Sequence, residues 1–217
     1  MKQNRIFLAF SLNIVMVTFV GILLVALFVG MVGCGSAYEV PPQTSQDLLN
    51  LRDHVIESKA QIQKTSNAAR DLIQRPQQNL TSQIMLLGEH IATLNSMSTR
   101  GRQMYTGAEL HATDYFADWD RQLKSMSDDL AAAGQKRLGQ SIASFKTLQL
   151  QVLDVRGFFQ PYMAKLLEVQ QYLRTDTTAA GVKAVTPMIK DALGREPDIM
   201  KRADQIIKQI DNMRGGQ

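Results

Sequence analysis

The chain has 217 residues, of which 45% are hydrophobic, 20% charged and 6% aromatic, and it contains one cysteine. That composition suits a globular protein that buries one sizeable core, and a single cysteine excludes an internal disulfide. The net charge of +4 includes Lys2 and Arg5; without them 22 basic residues face 20 acidic ones, too even a balance for a nucleic-acid footprint.

Met1 to Arg5 is a short basic segment, and Ile6 to Val32 is apolar, broken mainly by Ser11, Asn13 and Thr18. A positive start and a long apolar run make an export leader. The run closes on Met31-Val32-Gly33-Cys34-Gly35-Ser36, which resembles the lipobox of bacterial lipoproteins. The resemblance implies a signal peptide over residues 1–33, cleavage before Cys34 and a diacylglycerol on its thiol. The product is then a lipoprotein of the bacterial cell envelope, tethered to a membrane and facing the periplasm. Met31 departs from the usual Leu while keeping a bulky apolar side chain. Gly35 lacks the acidic group that enteric bacteria use for inner-membrane retention, which favours outer-membrane sorting. The alternative is that the apolar run, longer than the roughly 20 residues a spanning helix needs, stays in place as a transmembrane anchor. Either way the basic end stays in the cytoplasm and the rest is delivered beyond the inner membrane.

Residues 34–43 hold Gly35, Pro41 and Pro42 without helical periodicity and read as a flexible tether before a helical domain over 44–213. Thr44 or Ser45 is the expected cap of a first helix with Leu48, Leu51, Val55, Ile62, Ala69 and Leu72 on one stripe. Pro76 ends it, and Asn79 is the expected cap of the next. There Leu80, Ile84, Leu87, Ile91 and Leu94 repeat in alternating steps of four and three, the spacing of helices packed at a shallow angle. Gly101 and Gly107 are expected to weaken that helix, after which Phe116, Trp119, Leu123, Met126 and Leu130 resume the stripe. A turn is expected over Ala131–Gly134. A further long helix carries Leu138, Ile142, Phe145, Val152, Phe159, Met163 and Leu166, with a bend near Gly157 and Pro161 and an end near Leu173. A short helix over Val182–Leu193 should stop at Gly194, and Pro197 should open a last one carrying Ile199, Ala203, Ile206, Ile210 and Met213. Each stripe covers one face only, so the expected fold is all-α: an antiparallel bundle of three to four long helices with short C-terminal ones.

The run Asp114-Tyr115-Phe116-Ala117-Asp118-Trp119-Asp120-Arg121-Gln122-Leu123, with Phe159-Gln160-Pro161-Tyr162-Met163 later, resembles a bacterial family of helical envelope proteins known only as a domain of unknown function. That resemblance spans about residues 44 to 213 and implies a fold, not an activity.

Candidate chemistry is sparse. His54 and His90 fall on either side of the Pro76 turn at unequal distances, so an ideal hairpin keeps them roughly 12 Å apart, too far to share a metal. His111 has no second ligand at a suitable spacing, and no metal or other cofactor is expected. Asp114 and Asp118 share a helical face with Asp120 nearby, but the pattern around them is that of a solvated face behind a buried aromatic stripe. No G-x-S-x-G elbow or phosphate-binding Gly-rich loop occurs, and Cys34 is committed to lipid. The chain is therefore expected to be non-enzymatic, with a structural or protein-protein interaction role through self-association or an envelope protein partner. A sensory or ligand-binding bundle of the chemoreceptor kind is the alternative.

Overall fold

The computed structural model describes residues 42–215. The leader, the lipobox with Cys34 and the tether as far as Pro41 lie outside the described residues. Four helices follow in order: α1 (Pro42–Gln74), α2 (Leu80–Leu123), α3 (Asp128–Leu173) and α4 (Ala179–Gly215). The links between them, residues 75–79, 124–127 and 174–178, are too short for anything but antiparallel neighbours. Helix α1 packs on α2 and α4, and α3 packs on the same two, so the helices close into a ring around a shared interior. The chain is thus the all-α antiparallel bundle that its stripes call for.

The core falls into two clusters along the bundle axis. One lies towards the α1–α2 and α3–α4 links and is built on Leu72, Leu87, Ile91, Tyr162, Leu166 and Ile189. The other lies towards the opposite end and is built on Leu48, Leu51, Phe145, Leu148, Ile206 and Ile210. Hydrogen bonds between helices set their relative height. Gln170 Nε2 donates to the Gly88 carbonyl at 3.0 Å and Gln149 Nε2 to Glu109 Oε1 at 2.7 Å, which places α2 against α3. Gln209 Nε2 donates to the Ser144 carbonyl at 2.9 Å and fixes α4 against α3. Together with the Asp47–His111 contact between α1 and α2, these levels leave the α2–α3 hairpin projecting past the start of α1 and the end of α4 by about ten residues, or ~15 Å.

The helix ends differ from expectation in instructive ways. Helix α1 is already helical at Pro42, and Thr44 is a buried residue inside it, not its cap. Asn79 does precede α2 but makes no side-chain cap bond. The link is instead stitched by buried Gln83, whose Oε1 accepts from the Gln77 N–H at 2.9 Å while its Nε2 donates to the Arg75 carbonyl at 3.1 Å. A cap that does form is at α4, where Asp176 accepts from the Thr178 N–H at 3.0 Å and Thr178 Oγ1 accepts from the Gly181 N–H at 3.2 Å.

Helix α2 runs unbroken through Gly101 and Gly107, and the turn falls at 124–127, so Ala131–Gly134 is helical. Likewise Gly194 does not stop α4, and Pro187 and Pro197 lie inside one continuous helix where two were expected. A glycine costs about 1 kcal/mol in a helix interior, little beside the burial that holds each helix along its length. Both prolines of α4 are exposed, so their rings lie on the side of the helix turned away from the core.

Candidate functional site

Where the two core clusters meet, all four helices line a cavity of ≈ 150 Å³. Its wall is mostly apolar, with Leu51, Ile62, Leu94, Val155, Phe159 and Ile206 among the residues that form it. The charged side chains on the lining are Lys59, Arg102 and Arg156, and no carboxylate accompanies them there. Lys59 is paired with Asp204 across the α1–α4 seam. Arg102 is exposed and donates to Thr99 Oγ1 of its own helix at 3.2 Å, while Arg156 is half-buried. Neither guanidinium pairs with a carboxylate among the described residues.

His54 is the most enclosed polar group on this wall, only 6% exposed. Its Nε2 lies 2.9 Å from the Met97 carbonyl, which can only accept, so Nε2 carries the proton and Nδ1 becomes an acceptor. That Nδ1 is buried without a partner. Gly101 explains how the ring fits: a Cβ there would stand 2.8 Å from His54 Nε2, so only a glycine lets α2 pass this close. The residue that reads in sequence as a weak point of α2 is a recess for an imidazole of α1. Nearby, burial and then the Glu109 charge raise the Tyr105 phenol above its ordinary range.

A second polar group lies deeper in the other cluster. Ser66 Oγ and the Tyr162 hydroxyl are 3.2 Å apart and both residues are buried, while Glu196, 7% exposed, is ion-paired with Arg70. Desolvation first, and the Glu196 charge after it, push the Tyr162 phenol up to about 12, so it stays protonated and cannot serve as a base near neutrality. Ser66 did not stand out in the sequence, and Tyr162 did so only as part of the Phe159–Met163 run, with no polar role attached. The available signal was the pair of polar residues Thr65 and Ser66 between Ile62 and Ala69, where a stripe predicts apolar ones.

The residues singled out from sequence are scattered. Cys34 is outside the described residues. His90 sits beside Gln61, a heptad along α1 from His54, and His111 Nδ1 is 2.5 Å from Asp47 Oδ2. Among the described residues no group of three or more His, Cys, Asp or Glu stands close enough to hold a metal ion. Asp118 pairs with Arg121, Asp120 with Lys124 at 2.7 Å, and Asp114 is exposed, so the three carboxylates form no cleft. Trp119 is half-buried against Tyr115, with ring centroids 5.8 Å apart, and is not enclosed as its stripe position implies. Met126, Leu130 and Ile142 of the same stripes are exposed. Met126 and Leu130 lie on the projecting hairpin, where α1 and α4 no longer supply a surface to bury against, and Ile142 lies just inside the body, level with Asp211 of α4.

A groove of ≈ 410 Å³ also runs between α2 and α3 near Met85, Gly88 and Arg174, where the Gln170–Gly88 bond lies. Among the described residues no helix is long and apolar enough to cross a membrane. No family model matches the chain, and no curated protein or solved structure matches it.

Proposed function

We propose that this chain is a lipid-anchored, non-enzymatic protein of the bacterial envelope that works through contacts made by its helical bundle. The observation that carries the reading is the projecting α2–α3 hairpin. It stands at the end of the bundle where α1 begins, the end nearest Cys34 along the chain, and it exposes Met126 and Leu130 beside half-buried Phe116 and Trp119. A hairpin with unspent apolar surface and only one helix neighbour per helix suits contact with a second copy or an envelope protein partner. Support for a non-catalytic role comes from the interior: Ser66 faces a phenol held protonated, Glu196 is taken by Arg70, and no activated nucleophile results.

Two measurements test this. Photo-crosslinking from position 126 or 130 in intact cells should trap one discrete species, and an absence of any crosslink would remove the interaction role. Lipidation at Cys34 leaves a chain of 184 residues with an acylated N-terminus, since residues 1–33 of the 217 are cut away. Mass spectrometry of the mature N-terminal peptide should find that species, and Cys34→Ala should accumulate uncleaved precursor. Mature protein that still begins at Met1 would refute the lipoprotein assignment.

The ligand-binding alternative is favoured by one specific observation, the cavity at the centre of the bundle. A sensory bundle needs a place for its ligand between helices, and this is such a place.

A further inference from the structure

We infer that the central cavity binds a small amphipathic anion, a molecule with an apolar body of about six carbons and a carboxylate or similar oxyanion head, held at the rim by Arg102 and Arg156. The inference rests on the ligand-binding reading of the bundle and names its ligand class.

The size and chemistry of the wall select the body. At ≈ 150 Å³ and lined by leucine, isoleucine, valine and phenylalanine, the cavity matches the dimensions of a site that admits a benzene-sized guest. The unpartnered Nδ1 of His54 is unfavourable in the empty bundle. As an acceptor it is satisfied by an O–H or N–H that the guest carries besides its oxyanion.

The register of α2 against α3 selects the head. Arg102 follows Gly88 by fourteen residues and Arg156 precedes its partner Gln170 by fourteen. Arg102 also precedes Glu109 by seven, and Arg156 follows that residue's partner Gln149 by seven. Both bonds therefore set the two arginines at the same height on facing helices. Two like charges level with each other repel, and an oxyanion between them turns that repulsion into attraction. The nearest carboxylate in this register, Glu109, is one heptad away and engaged by Gln149 and Tyr105. Helices α2 and α3 are the two longest, yet they are the least closely packed of the four neighbouring pairs, so their seam is the natural route in.

The test titrates the full-length protein in a non-ionic maltoside with hexanoate, hexanol and hexylammonium, three six-carbon probes with different heads. Each is read by saturation-transfer NMR against a variant with the cavity filled, Ala203→Leu, or Ser98→Leu should the first not fold, so that partition into detergent cancels. Hexanoate should bind at least about tenfold tighter than hexanol and hexylammonium more weakly than either. In Arg102→Gln/Arg156→Gln the advantage of hexanoate should fall below about threefold, while hexanol is unaffected. Hexanol binding as tightly as hexanoate would overturn the anion claim and leave the ligand-binding reading standing. Failure of all three probes at millimolar concentration would remove both. Undiminished hexanoate binding in the filled variant would put the ligand elsewhere and overturn the site.

Discussion

The four-helix body and the two-helix hairpin that projects from it carry apolar residues at the same three- and four-residue steps, yet they bury them to very different depths. In the body Leu87 and Ile91 are 1% and 0% exposed; in the hairpin Met126 and Leu130 are 46% and 64% exposed. The spacing decides which face of a helix is apolar. How much of that face leaves water depends on the number of helices around it, and a helix with one neighbour has too few.

The largest expected effect breaks the body. Leu166→Ala, at a site 1% exposed, should lower unfolding stability by ~2 to 5 kcal/mol in a urea titration, because the surrounding helices cannot fully collapse on the void. A loss under ~1 kcal/mol would mean the two-cluster core is wrongly drawn.

Next is a pH effect confined to the body. The Tyr162 phenol is raised from 10.0 to about 12 by burial, so the fold favours its neutral form. The stabilisation that follows is fully present below pH 10 and is lost as pH climbs towards 12, amounting to ~2 to 3 kcal/mol at ~1.4 kcal/mol per unit. Thermal melts across that window should show wild type losing more stability than Tyr162→Phe. Parallel curves for the two proteins would contradict it.

At the base of the hairpin, Trp119→Ala should cost only ~1 to 1.5 kcal/mol, since a half-buried indole forfeits part of the ~3 to 5 kcal/mol that an enclosed one would. A loss above ~3 kcal/mol would mean that something covers the hairpin, such as a second copy. On the solvent face of the body, Gly194→Ala should raise stability by ~0.5 to 1 kcal/mol, because nothing lies within 4 Å of the added Cβ and the helix is continuous there. A destabilised variant would restore Gly194 as a helix stop. Least of all, Leu130→Ala at the hairpin should stay within ~0.5 kcal/mol in the monomer while weakening any crosslink formed from that surface.

Much of the fold is legible in the chain because helical periodicity is a local property. Leu80 to Leu94 disclose one buried face by their spacing alone, and Pro76 discloses the α1–α2 link. Helix ends are less legible: Gly194 and Pro197 look like punctuation, but burial of Ile189 and Ile199 on either side outweighs them. The candidate site is the least legible part. Arg102 and Arg156 are 54 positions apart and gain meaning only from a register set by Gln149 and Gln170. Gly101 looks like a defect until His54 is seen across from it.

Taken alone, the amino-acid order determines the all-helical class, the faces that turn inward and the antiparallel path, because each depends on neighbours a few residues away and on links too short to permit anything else. It also carries the whole case for the proposed lipidation of Cys34, which rests on a local motif. Tertiary structure alone decides that four helices close into a ring, that two of them outrun the others, and that a void flanked by unpaired cations is left at the junction of the two core clusters. These are properties of register between distant segments, set by which side chains interlock across the bundle, and no local pattern encodes them.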